Sequence, residues 1–132
     1  MGLDAHLIKY KGKNRKEVDF KHNNDTDQDI HYWRKHPNLE QFMAQLYFEK
    51  GGQGSDSGFG NLPSFNCCKV ELKEKDITNL QELIISDNLP QGGGFFHGGN
   101  SDAEYKEETL EALKDAMNAI EEGDRVYYTS WW

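Results

Sequence analysis

The sequence predicts a single α+β domain spanning residues 1–132, with a small antiparallel or mixed sheet packed against about three helices, the longest near the C-terminus. Three observations carry this. The stretch 101–132 reads as a long amphipathic helix, a tight stop and an aromatic strand. The N-terminal stretch alternates as a strand does. Between them lie two shorter helical stripes separated by polar and glycine-rich connections, with no internal repeat and no second core.

The long helix is the clearest element. Ser101 and Glu104 have capping-box spacing. Tyr105, Thr109, Leu110, Leu113, Ala116, Met117 and Ile120 recur at three- and four-residue steps and form one apolar stripe. Gly123 follows it and suits the left-handed C′ position. Arg125 to Trp132 is rich in β-branched and aromatic residues, which predicts a strand. On that strand Tyr128 and Trp132 share one face, and Tyr127 and Trp131 the other; one pair can be core, and the other needs cover from a loop, a second subunit or a ligand.

From the N-terminus, Leu3, Ala5 and Leu7 alternate with Asp4, His6 and Ile8, a first strand. Asp4, if buried, must be paired. Lys11 to Asp29 reads as a long polar loop with a short strand near Val18 and Phe20. Ile30 to Lys35 is compatible with a short helix or an extended segment. Pro37 disfavours helix at His36, so the next helix is expected to be N-capped by Asn38, with Gln41 as capping-box partner and Leu39, Phe42, Met43, Leu46 and Tyr47 inward, ending at Gly51. A flexible loop follows, then a strand from Phe65 with Cys68, Val70 and Leu72 on one face. Asp76 is expected to cap a helix with Ile77, Leu80, Leu83 and Ile84 inward, which Asn88-Leu-Pro ends. A short strand is expected in the glycine-rich stretch before the long helix.

Composition excludes some classes. A net charge of −8 opposes direct nucleic-acid binding. No apolar run is long enough for a bilayer and no leader is evident, so no membrane partner and a cytoplasmic location are expected. Cys67 and Cys68 are adjacent, hence poorly placed to bridge, and read as reduced, half-buried strand residues. The histidines and cysteines lack metal-ligand spacing, and no nucleotide or nucleophile motif is present. No metal and no cofactor is implied. The acidic long helix reads as a solvated face, or more sharply as a surface for a basic partner.

Candidate chemistry gathers at three places. Glycines 92–94 with Phe96 and His97 could admit an anion before a helix, although Asp102 and Glu104 oppose it. Tyr32 and Trp33 beside Arg34 could hold an anion bidentately while rings stack on a base or sugar, unless Trp33 is core and Arg34 pairs with Asp4. Tyr127 and Trp131 supply further aromatic surface.

The start Met-Gly-Leu-Asp, the Tyr32-Trp-Arg-Lys run, the Gly94-Phe-Phe-His-Gly turn and the ending Tyr127-Tyr-Thr-Ser-Trp resemble a family of small proteins of bacteriophages and scattered bacteria. That family has no established activity. Its members sometimes carry the label phosphoglycerate kinase, which a chain of this length without a nucleotide motif does not support. The resemblance implies that Asp4, Trp33, Arg34, Phe96 and the terminal Tyr-Tyr-x-Ser-Trp form one constellation.

The expected function is non-enzymatic binding of a small anionic or nucleotide-like ligand, or of a host protein in host takeover or counter-defence. The expected site is Asp4, Tyr32, Trp33, Arg34, Phe96, His97, Tyr127 and Trp131. Alternatives are a small hydrolase or transferase using Asp4 or His97 as acid/base, and a purely structural or interaction protein; a homodimer is compatible with all three.

Overall fold

The computed structural model describes residues 3–12, 16–21, 24–56, 63–90 and 102–131. The expectations for Phe96, His97, the glycine-rich bend, the short strand there, Ser101 and Trp132 lie outside the described residues.

Strand β1 (Asp4–Tyr10) is followed by a single 3-10 turn at Asn24–Thr26 and by β2 (Gln28–Arg34). Helix α1 (Pro37–Glu49), a two-residue ladder of β3 (Ser55–Asp56) with β4 (Pro63–Ser64), and β5 (Lys69–Leu72) come next. Helices α2 (Glu74–Ile85) and α3 (Asp102–Glu121) precede β6 (Arg125–Trp131). The main sheet has the order β2-β1-β6-β5 and is antiparallel throughout. The predicted α+β class and the long helix near the C-terminus are both present.

The helices bury one face of this sheet. Ala5, Leu7, Trp33, Val70, Leu72, Val126 and Tyr128 meet Leu39, Phe42, Met43 and Tyr47 of α1, Ile77 and Leu80 of α2, and Leu113 and Ala116 of α3. The core therefore sits between two layers, as the periodicities require. All three helices stop in the same way. Gly51, Asp87 and Gly123 take positive φ, and the residue after each donates its N–H to the carbonyl five back: Gly52 to Tyr47, Asn88 to Leu83, Asp124 to Ala119.

Several local readings are corrected. Ile30 to Arg34 is extended, as part of β2. Helix α1 has His36 rather than Asn38 as its cap residue and begins at Pro37, because proline suits a first helical position, where no N–H is needed. Asp76 stands at N3 of α2 and accepts from the N-cap Lys73 N–H at 2.9 Å, so it serves the helix end without being its cap residue. Cys67 lies in a turn with φ of 63°, exposed, while Cys68 is buried; neither is in a disulfide. Val18 makes an isolated bridge to Val70 along the outer edge of β5.

A bulge in the pairing of β1 with β2 falls between Leu7 and Ile8. It resets the alternation, so that Asp29 joins Tyr32 and Arg34 on the face turned away from the helices.

Candidate functional site

The outer face of the sheet has two halves. At the end nearest Tyr10, Phe20 folds over the strands. Its ring stacks on Tyr10 at 5.7 Å and meets Tyr127 edge-on at 5.6 Å, with Ile8 packed alongside. Glu71 is buried there and is held by Arg125, by Lys73 Nζ at 2.5 Å and by the Tyr10 hydroxyl at 3.4 Å. Lys69 Nζ lies over the Phe20 and Tyr127 rings. The Tyr127 hydroxyl donates to Asp27 at 2.9 Å, and burial, reinforced by that carboxylate, pushes its pKa far up.

The other half is open. Asp4 on β1 has Arg34 of β2 as its neighbour on one side and Trp131 of β6 on the other. In the next row His6 lies between Tyr32 and Thr129. Period-two alternation sets all six side chains on one face. The His6 ring stacks on Trp131 (centroids 5.0 Å, planes 19° apart) and tilts against Tyr32 at 4.9 Å. Its Nδ1 lies 3.3 Å from Asp29 Oδ1, the contact that the bulge makes available. Three rings thus run across three strands, with Tyr32 and Trp131 45% and 44% exposed.

Asp4 is engaged by the Tyr32 hydroxyl, which donates to it. That bond, ahead of partial desolvation, raises the Tyr32 pKa, so the phenol remains a donor at neutral pH. Arg34 is exposed, and among the described residues no carboxylate stands within ion-pair distance of it. The alternative in which Asp4 closes off Arg34 does not hold in this geometry. The Arg34 carbonyl accepts from the Tyr105 hydroxyl at 2.5 Å, which ties the end of β2 to α3 and leaves the guanidinium outside.

Of the residues singled out in the sequence, Asp4, Tyr32, Arg34 and Trp131 are brought together. Trp33 is not among them. Adjacent strand residues point to opposite faces, and Trp33 is buried in the helix layer with its Nε1–H donating to Thr109 at 2.9 Å. Tyr127 shares the outer face but lies beneath Phe20, 3% exposed. Two residues that belong to the open half, His6 and Asp29, were not singled out. His6 was legible, since the alternation of β1 already placed it beside Asp4. Asp29 was not, because only the bulge turns it outward.

Other concavities lie elsewhere: an open one of about 520 Å³ along Gln41, Ala44 and Phe48 of α1, one of about 290 Å³ beside Lys9, Asp29 and Asp115, and a much smaller third. The hollow between α2 and α3, lined by His36, Ile84, Leu89 and Thr109, has room for about one water. The described residues contain no group of three or more His, Cys, Asp or Glu side chains able to hold a metal. Among them, too, no helix is long and apolar enough to cross a membrane. Comparison with family models, with curated proteins and with solved structures returns no match.

Proposed function

We propose that this protein is a non-enzymatic binding protein whose open sheet half takes a small, planar, anionic ligand of the nucleotide class. The observation that carries this reading is the state of Arg34: an exposed guanidinium on a residue anchored by its carbonyl at a strand end, without a carboxylate partner among the described residues, on the same face as three rings in line. A guanidinium fork binds phosphate or carboxylate oxygens in pairs, and the face of a base stacks on Trp or Tyr at roughly 1–3 kcal/mol per base. Asp4 acts through Tyr32: it holds the phenol in place and leaves Arg34 as the cation of the row. The site suits one nucleotide rather than a nucleic-acid strand. A strand needs a run of cations, and here Asp4 and Asp29 flank the rings.

The test is titration with a mononucleotide panel followed by tryptophan fluorescence, with product analysis in parallel. Saturable quenching without turnover is expected, weakened about fivefold or more in Arg34→Ala. Turnover of any member of the panel, or equal affinity in Arg34→Ala, would contradict the reading.

A further inference from the structure

Directly behind the open half lies a buried carboxyl. Glu40 of α1 is 6% exposed; its Oε1 accepts from the Tyr128 hydroxyl at 2.8 Å and its Oε2 from the Ser130 hydroxyl at 2.9 Å. Among the described residues no cation lies within ion-pair distance of it. The inward side chains of the sheet and of α1 itself are mainly apolar: Ala5 and Leu7 of β1, Val70 and Leu72 of β5, Val126 of β6, Leu39 and Met43 of α1. The charged and titratable groups of that layer are committed elsewhere: the Tyr47 hydroxyl of α1 donates to Asp19 at 2.5 Å, and the Cys68 thiol to the Ser64 carbonyl at 3.7 Å. His31 of β2 donates from Nε2 to Glu108 of α3 at 2.6 Å, Lys50 at the end of α1 pairs with Asp76 of α2 at 2.7 Å, and His36 stacks on Tyr105. Tyr128 stays neutral because burial, with Glu40 beside it, holds its pKa well above the ordinary tyrosine range. Burial without a counter-charge favours the neutral acid, and the two hydroxyl donors, which favour the carboxylate, offset it only in part.

Strand alternation links this group to the platform. Tyr128 and Ser130 turn toward Glu40, while Thr129 and Trp131, interleaved with them on β6, turn toward the rings. We propose that Glu40 is a proton-operated latch beneath the platform: the neutral carboxyl lets the Tyr128–Trp131 end of β6 lie fixed on the apolar layer, and ionisation loosens that end and weakens binding on the opposite face. The coupling to affinity rests on the platform reading above; the loosening does not. Desolvation, only partly offset by the two hydroxyl donors, pushes the Glu40 pKa up to about 7, which sets the working range near neutrality.

The test separates the two claims. Amide hydrogen exchange of Thr129, Ser130 and Trp131, corrected for its intrinsic pH dependence, is compared at about pH 6 and about pH 8 in the ligand-free wild type and in Glu40→Gln. Protection should fall about fivefold or more with rising pH in the wild type and stay level in Glu40→Gln. Constant protection in the wild type, or the same fall in both proteins, overturns the latch. Should Glu40→Gln fail to fold, the side-chain carboxyl carbon of Glu40 is titrated in the wild type, where a midpoint in the ordinary carboxylate range overturns it. Adenosine 5′-monophosphate affinity, measured in both proteins, should weaken about threefold with rising pH in the wild type beyond any change in Glu40→Gln. His6 and the phosphate are present in both and cancel. An identical ratio overturns the coupling. Absence of binding at either pH removes the platform reading and leaves exchange to decide the latch.

Discussion

The two halves of the outer sheet face are built from the same materials and do different things. Each has three rings in contact across the strands, with acidic and basic side chains around them. In the covered half, Tyr10, Tyr127 and Phe20 are at most 5% exposed, Glu71 is paired with Arg125 and Lys73, and Lys69 lies over the rings. In the open half, His6, Tyr32 and Trp131 touch in the same way, but nothing described lies over them and Arg34 has no carboxylate partner among the described residues. What separates the halves is one side chain from a loop. Phe20 turns aromatic surface into a second core, and where its cover stops the same surface is left for something else. An exposed cluster of large rings is worth explaining; a buried one is only packing.

The largest effect should come from removing the cover. Phe20→Ala should cost about 3–4 kcal/mol in chemical denaturation, because a buried aromatic leaves both a cavity and two unmatched ring faces. Trp131→Ala, from the open half, should cost under about 1 kcal/mol in the same assay. Equal costs would erase the distinction between the halves.

Glu40, on the inner side of the strand they share, should give the next largest effect. Its folded pKa is raised, so the neutral form's contribution to stability is fully present below the unfolded carboxylate range and is lost as pH rises through about 7. A rise from the ordinary 4.5 to about 7 corresponds to roughly 3 kcal/mol. Unfolding free energies measured across that window should decline in the wild type and decline less in Glu40→Gln.

Within the open half, Arg34→Ala and Trp131→Ala should each weaken adenosine 5′-monophosphate binding by about 1–3 kcal/mol, read by calorimetry, while Arg34→Ala changes stability by under about 0.5 kcal/mol. The smallest effect belongs to Tyr32→Phe. It frees Asp4 to approach Arg34 and should weaken binding by about 1 kcal/mol, whereas Asp4→Asn, which keeps an acceptor for the phenol, should weaken it less.

The sequence made the helix layer legible because burial there follows period and polarity. The stripes of α1, α2 and α3, and the glycines after α1 and α3, are where the pattern places them. The outer face was legible only in part. Alternation groups Asp4 with His6, and Tyr32 with Arg34, but it cannot say which strands are neighbours. The meeting of Arg34, Asp4 and Trp131 therefore waited on the order β2-β1-β6. Asp29 defied the pattern because one extra residue in β2 reverses its side. Trp33 departs from the site for a simpler reason: it is adjacent to Tyr32 and Arg34 in sequence, but neighbours on a strand face apart. Glu40, in the first turn of α1, carries no sequence sign of burial, since acidic residues there are normally solvated.

The claim that the open half is a ligand platform is tested most directly by mapping amide and indole chemical shifts during titration with adenosine 5′-monophosphate. The account predicts saturable shifts clustered at His6, Tyr32, Arg34, Thr129 and the Trp131 indole, with Tyr10, Phe20 and Tyr127 silent. Shifts centred on the Phe20 half, or none at millimolar nucleotide, would contradict it.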